Sequence, residues 1–360
     1  MRRQNKERIY KSSLKYILYA IVIVLCLGYF IISFSNRYQN DDFGFSYGIR
    51  SYGVWNMFIM YALSWETNLN TLMLLSLLKW TTLFQPFVFN ILIFIVDVFG
   101  FWLLLKTIIK YYSIELNGRE IFLVSSLIIG ITYFSCRAEG NVTYWVTGQI
   151  VYCLVLFYLF IGLHFWIKGK LFLACIFMFL FAHTRLNYDA IFIGLYFSFH
   201  GFQYFKNRKH SINWKSHLPF LIFILGILTY IIIPGNFKRA DAIKLNQAEQ
   251  QLSIFSLING WLHAFNHLIG IVITSWKQLI ILPVGLIVGL SINQSSRFKQ
   301  LLSIRFLFIS GIAFIISYIG QSTIMQLAIN TPVGYGRVFF FLEMLLLFCS
   351  CYMDFILVLN

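Results

Sequence analysis

Two adjacent carboxylates, Asp41 and Asp42, lie in the stretch Asn36 to Tyr47, a few residues beyond an apolar run that ends at Phe34. Ionisable groups are costly near a bilayer, so a paired, aromatic-flanked acid in so apolar a chain points to a catalytic or ligand-binding role. An aspartate within reach of a hydroxyl can remove its proton as a general base. Further constellations carry groups that complement such a step. Arg137 to Tyr152, RAEGNVTYWVTGQIVY, offers Glu139, Tyr144 and Trp145 at the entrance to an apolar run. His183 to Asp189, HTRLNYD, offers Arg185, and Pro234 to Lys244, PGNFKRADAIK, offers Asn236 and the adjacent cations Lys238 and Arg239. Gly334 to Arg337, GYGR, adds another guanidinium. Guanidinium and ammonium groups hold phosphate oxygens, Arg with the better two-point geometry. Carboxylates and cations gathered in such segments suit a face that handles an anionic lipid-linked substrate.

Those groups need a scaffold, and composition says which kind. The chain has 360 residues, 59% hydrophobic and 11% charged, with a mean hydropathy of +0.76. No soluble core buries that much apolar surface, so the class is an all-α, polytopic integral membrane protein, a single domain over residues 1–360. The net charge of +15 does not indicate a nucleic-acid partner, because the 28 Lys and Arg are spread through short segments between apolar runs. Cys26, Cys153, Cys175, Cys349 and Cys351 lie within apolar runs and Cys136 at a segment end, without CxxC or His-paired spacing. They read as small core hydrophobes, neither disulfides nor metal ligands.

Residues 1–15 form a basic tail with Arg2, Arg3, Lys6, Arg8, Lys11 and Lys15, followed by an apolar run from Tyr16 to Phe34. That run passes directly into SFSNRYQN without a small-residue cleavage site, which makes it a retained signal anchor and the first spanning helix. Residues 36–80 form the first outer loop, in which Gly53 to Trp80 reads as one or two interfacial helices anchored by Trp55, Trp65 and Trp80. Further spans are expected at Gln85 to Ile109, Ile121 to Ser135, Gly148 to Ile167, Leu171 to Phe181, Ala190 to Phe205 and Leu218 to Ile233. Leu268 to Ser291, Phe306 to Gln321 and Val338 to Leu357 bring the total to about ten. Leu171 to Phe181 is short enough to be a half-membrane helix. Most Lys and Arg fall on the side of the basic tail, so both termini are expected in the cytoplasm. The DD, EGN and PGNFKR segments then share the outer face.

In this order the constellations resemble the membrane glycosyltransferases of the GT-C superfold, in particular the bacterial glucosyltransferases that decorate O-antigen and their uncharacterised relatives. DDFGFSYGIRSYGVW is similar to their first outer loop, where an acidic pair and an aromatic precede a Gly and a Trp-bearing amphipathic helix. YWVTGQIVY, Tyr144 to Tyr152, matches their YW-x-TG-x-x-x-Y segment, and PGNFKR, Pro234 to Arg239, their PGN-x-x-R loop. The resemblance covers roughly residues 16 to 250, with GYGR beyond it. SWETNLN, Ser64 to Asn70, lacks the Arg of the WNGR-like element that relatives often carry.

The resemblance implies a GT-C-like fold with interfacial helices in the first outer loop. It implies inverting transfer of a sugar, a hexose, from a polyprenyl-phosphate donor to a glycan acceptor, either a cell-surface glycan or a lipid-linked saccharide. The reaction would take place at the extracytoplasmic face of the bacterial inner membrane. Asp41 or Asp42 would be the base, Asp42 favoured because it adjoins Phe43, with Lys238, Arg239 and Arg337 at the phosphate and Glu139, Tyr144, Trp145, Arg185 and Asn236 around the substrates. No metal and no other cofactor is called for. No Gly-rich loop stands between a strand and a helix, which argues against a nucleotide-sugar donor.

Plainer roles compete. Asp41 and Asp42 could cap the helix that follows them, and Glu139 could be a solvated loop residue. Asp97 and Asp354, inside apolar runs, are functional or join helices by hydrogen bonds. His263 and His267 have a metal-compatible spacing without a third ligand nearby, so a helix face is the expectation. Asn141 to Thr143 is a glycosylation sequon whose meaning depends on the host. The rival functions are a polysaccharide polymerase and a transporter or flippase of lipid-linked saccharides, although the internal repeat expected of the latter is not found.

Overall fold

The computed structural model describes residues 2–34, 40–64, 68–79, 86–111, 117–135, 146–184, 186–207 and 214–238, with isolated positions between 255 and 262. Their regular structure is entirely helical: α1 (Arg2–Phe34), α2 (Asn40–Ser64), α3 (Leu69–Leu78), α4 (Pro86–Tyr111), α5 (Gly118–Ser135), α6 (Val146–Ile167), α7 (Leu171–Ala182), α8 (Leu186–Asn207) and α9 (Trp214–Ile232). Each apolar run expected to span between Tyr16 and Ile233 is a helix. Of these, α4, α6 and α9 are long and apolar enough to cross a membrane. The 12 residues of α7 reach about 18 Å at 1.5 Å per residue, well short of a hydrocarbon core of roughly 30 Å. The expected spans beyond Leu268, with Asp354, His263 and His267, lie outside the described residues.

Local sequence explains the helix ends. Pro86 opens α4, where its missing N–H is lost at no cost, and Lys110 in the last turn faces the negative end of the helix dipole. Helix α4 packs between α5 and α6, α6 packs on α7, α7 on α9, and α1 on α5. Small residues allow the close approaches. A Cβ on Gly100 of α4 would stand 2.8 Å from the Phe157 ring of α6, and one on Gly226 of α9 would stand 2.7 Å from Ala182 of α7.

Successive helices run antiparallel. Phe34 at the end of α1 lies 4.6 Å, centroid to centroid, from Phe87 at the start of α4. Trp166 near the end of α6 donates its indole N–H to the Ser216 carbonyl at the start of α9, at 2.7 Å. One end of the bundle therefore gathers the start of α2, Pro86, Val146, His183 and Ile232. The other gathers Tyr111, Gly118, Lys168 and Trp214.

Helix α2 corrects one expectation. The acidic pair belongs to a helix, where the sequence was read as a loop with helix beginning only at Gly53. The chain reverses inside α2 at Gly53, whose φ of 77° and ψ of 161° are open to glycine and costly for other residues. The reversal folds the helix on itself, bringing Phe45 to 5.2 Å from Tyr61 and the Met57 side chain against Gly48. Phe43, Tyr47, Tyr52 and Trp55 stay exposed along the folded pair. That distribution suits a helix lying in a membrane interface, as the second limb and α3 were expected to do.

Candidate functional site

Asp42 is fully buried. Its Oδ1 accepts the backbone N–H of Thr147 at 3.1 Å and the Thr147 hydroxyl as well. Thr147 is the second residue of α6, and the first N–H groups of a helix have no partner within it and form the positive end of its dipole. A carboxylate on α2 thus caps a helix that begins more than a hundred residues later. Capping was the plainer reading of the acidic pair, but of the helix that follows it; the helix actually capped belongs to the bundle. Asp41 lies in the same helical turn, and its side chain is outside the described set.

Thr147 is followed by a π-helical turn, Gln149–Cys153, in which every residue is buried. Such turns often occur at functional sites because they re-aim side chains. Gln149 donates to the Tyr29 hydroxyl of α1 at 2.6 Å, and that hydroxyl donates to the Asn90 carbonyl of α4 at 3.3 Å. Asp97 of α4 accepts the Tyr133 hydroxyl of α5 at 2.6 Å. Of the two roles considered for Asp97, the structure displays the interhelical hydrogen bond. Such bonds in an apolar interior fix the register of α1, α4, α5 and α6 beneath the Asp42 contact.

The remaining constellations reach the same end. Asn68 caps α3 by accepting the Thr71 N–H at 2.8 Å, and its Nδ2 donates to the Thr184 carbonyl at 3.0 Å. Tyr188 meets Tyr152 of α6 edge to face at 6.4 Å between centroids. The His183 ring meets Tyr230 of α9 edge to face at 5.9 Å. Asn236 donates through Nδ2 to the Tyr230 carbonyl at 2.7 Å, closing the end of α9. The described residues of these segments, among them Asp42, Thr147, Tyr152, His183, Tyr188 and Asn236, are scattered along the sequence and thus meet in one region. Within it His183 Nδ1 and both carboxylate oxygens of Asp189 lack a hydrogen-bond partner among the described residues. Burial holds the His183 imidazole below its ordinary pKa, so the neutral ring is the favoured form there.

Of the residues expected at the site, Asp42 is central and Asn236 serves the turn after α9. Lys238 is exposed just beyond it. Glu139, Tyr144, Trp145, Arg185, Arg239 and Arg337 lie outside the described residues. Thr147 and Asn68 were not singled out. Thr147 stood within the quoted YWVTG segment, and Asn68 with Thr71 has the spacing of a reciprocal cap, which the structure forms. Among the described residues no group of three or more His, Cys, Asp or Glu is arranged to hold a metal. Comparison of the chain with protein families, curated proteins and solved structures finds no match.

Proposed function

We propose that this chain is a GT-C-like membrane glycosyltransferase that moves a hexose from a polyprenyl-phosphate donor to a glycan hydroxyl at the Asp42 end of the bundle. The observation that carries the reading is the Asp42–Thr147 contact, which joins two of the motifs on which the family resemblance rests. In the reaction a carboxylate takes the acceptor hydroxyl proton as the oxygen attacks the anomeric carbon. The bond from that carbon to the phosphate oxygen breaks on the opposite side, inverting the centre. Asp42, buried and doubly bound through Oδ1, is assigned to hold the acidic turn against α6, and Asp41 to take the proton. Lys238, Arg239 and Arg337 are assigned to the departing phosphate, with Arg supplying paired donors. Glu139, Tyr144, Trp145 and Arg185 are assigned to the substrate surfaces; about ten spans, cytoplasmic termini and an outward-facing Asp42 end in the bacterial inner membrane belong to the same proposal.

The test is the pool of lipid-linked saccharides in cells lacking the chain. Accumulation of the sugar-charged polyprenyl phosphate, relieved by the wild-type chain and not by an Asp41→Asn, Asp42→Asn double variant, is the expected outcome. Accumulation of complete, unpolymerised repeat units would indicate a polymerase. A pool retained on the cytoplasmic face would indicate a flippase.

A further inference from the structure

Among the described residues, Asp189 is a buried acid whose oxygens both lack a partner. Asp42 has Thr147 and Asp97 has Tyr133, whereas Asp189 is 1% exposed and neither of its oxygens meets a donor among the described residues. It sits in the first turn of the long helix α8, where the dipole favours negative charge. A buried carboxylate without hydrogen bonds is costly, and in a membrane bundle such a group marks a functional site by default. It adjoins Tyr188, whose ring lies against Tyr152 of the motif that Asp42 caps. His183, on the other side of the turn between α7 and α8, presents a second unsatisfied polar atom, Nδ1.

We propose that Asp189 is a sugar-binding carboxylate, accepting hydroxyl hydrogen bonds from the hexose of the donor; this rests on the glycosyltransferase reading above. The chemistry selects the ligand. A lone carboxylate accepts one vicinal hydroxyl on each oxygen. A bare phosphate would be repelled.

The experiment measures binding to the full chain in a detergent without sugar, using a polyprenyl phosphate carrying glucose and the same lipid phosphate without it. An Asp41→Asn background prevents turnover. The chain with Asp189 intact should bind the sugar-bearing lipid tighter by about tenfold or more, and Asp189→Asn should lose that preference while still binding the bare lipid. Retention of the preference in Asp189→Asn overturns the proposal alone, and equal binding of both probes by the chain with Asp189 also overturns it. Binding of neither probe overturns the glycosyltransferase reading with it. Should Asp189→Asn fail to fold, labelling of Asp189 by a hydrophobic carbodiimide in the otherwise wild-type chain decides. Protection by the glucose-bearing lipid and not by the bare lipid supports the assignment, and any other labelling pattern refutes it.

Discussion

At the scale of single residues, the contact between Asp42 and Thr147 ties an acidic turn to the start of α6. Two donors on one buried oxygen give a charge-assisted anchor, stronger than a neutral hydrogen bond. The coupling is measurable with Asp42→Ala, Thr147→Val and the double variant followed by thermal unfolding in detergent. Thr147→Val removes the hydroxyl and leaves the backbone donor, so a coupling energy of about 1–2 kcal/mol is expected. Additive effects would mean that the hydroxyl contributes nothing to the anchor. None of this was visible in the sequence. Each residue stood in a segment singled out for its chemistry, but a pairing across more than a hundred residues leaves no local signal. Asp189 was likewise within a quoted segment, and only burial without a partner distinguishes it from the acids around it.

At the scale of elements, what the sequence disclosed followed the strength of its pattern. Apolar runs as long as α4 and α6 have few alternatives to helix in a membrane, and their ends were read to within a few residues. The stretch from Asn40 to Tyr52 is broken up by Asn40, Asp41, Asp42, Ser46, Arg50 and Ser51 and by the glycines Gly44 and Gly48, so it carries no helical stripe and reads as a loop; packing against α6 decides it. The reversal at Gly53 was hidden for a related reason, since a glycine beside Tyr52 and Val54 is as compatible with a helix start as with a hairpin. A Cβ at Gly53 meets nothing within 4 Å, so substitution tests backbone strain alone. Gly53→Ala should lower stability by about 1–3 kcal/mol, seen as a lower unfolding temperature with no change in detergent-solubilised oligomer. An unchanged temperature would show that the reversal does not depend on the left-handed backbone.

At the scale of the whole molecule, antiparallel alternation places Asp42, Thr147, His183 and Asn236 at one end and leaves Lys106, Lys110, Arg119, Lys168, Lys170 and Lys215 toward the other. A surplus of cations there is what the positive-inside rule expects of a cytoplasmic face. Cysteine introduced at Gln39 should therefore react with an impermeant maleimide in intact cells, and reaction only after permeabilisation would reverse the orientation. The central claim is that Asp41, on the turn that Asp42 anchors, takes the acceptor proton. Membranes bearing the wild-type chain, Asp41→Asn or Asp42→Asn are supplied with a labelled sugar on polyprenyl phosphate, and transfer to endogenous glycan is followed at equal protein level. Asn preserves size and capping ability but not proton acceptance. A glycosyltransferase of the proposed mechanism loses about 10²- to 10⁴-fold in rate in Asp41→Asn, with a smaller loss in Asp42→Asn; near wild-type transfer by Asp41→Asn would contradict it.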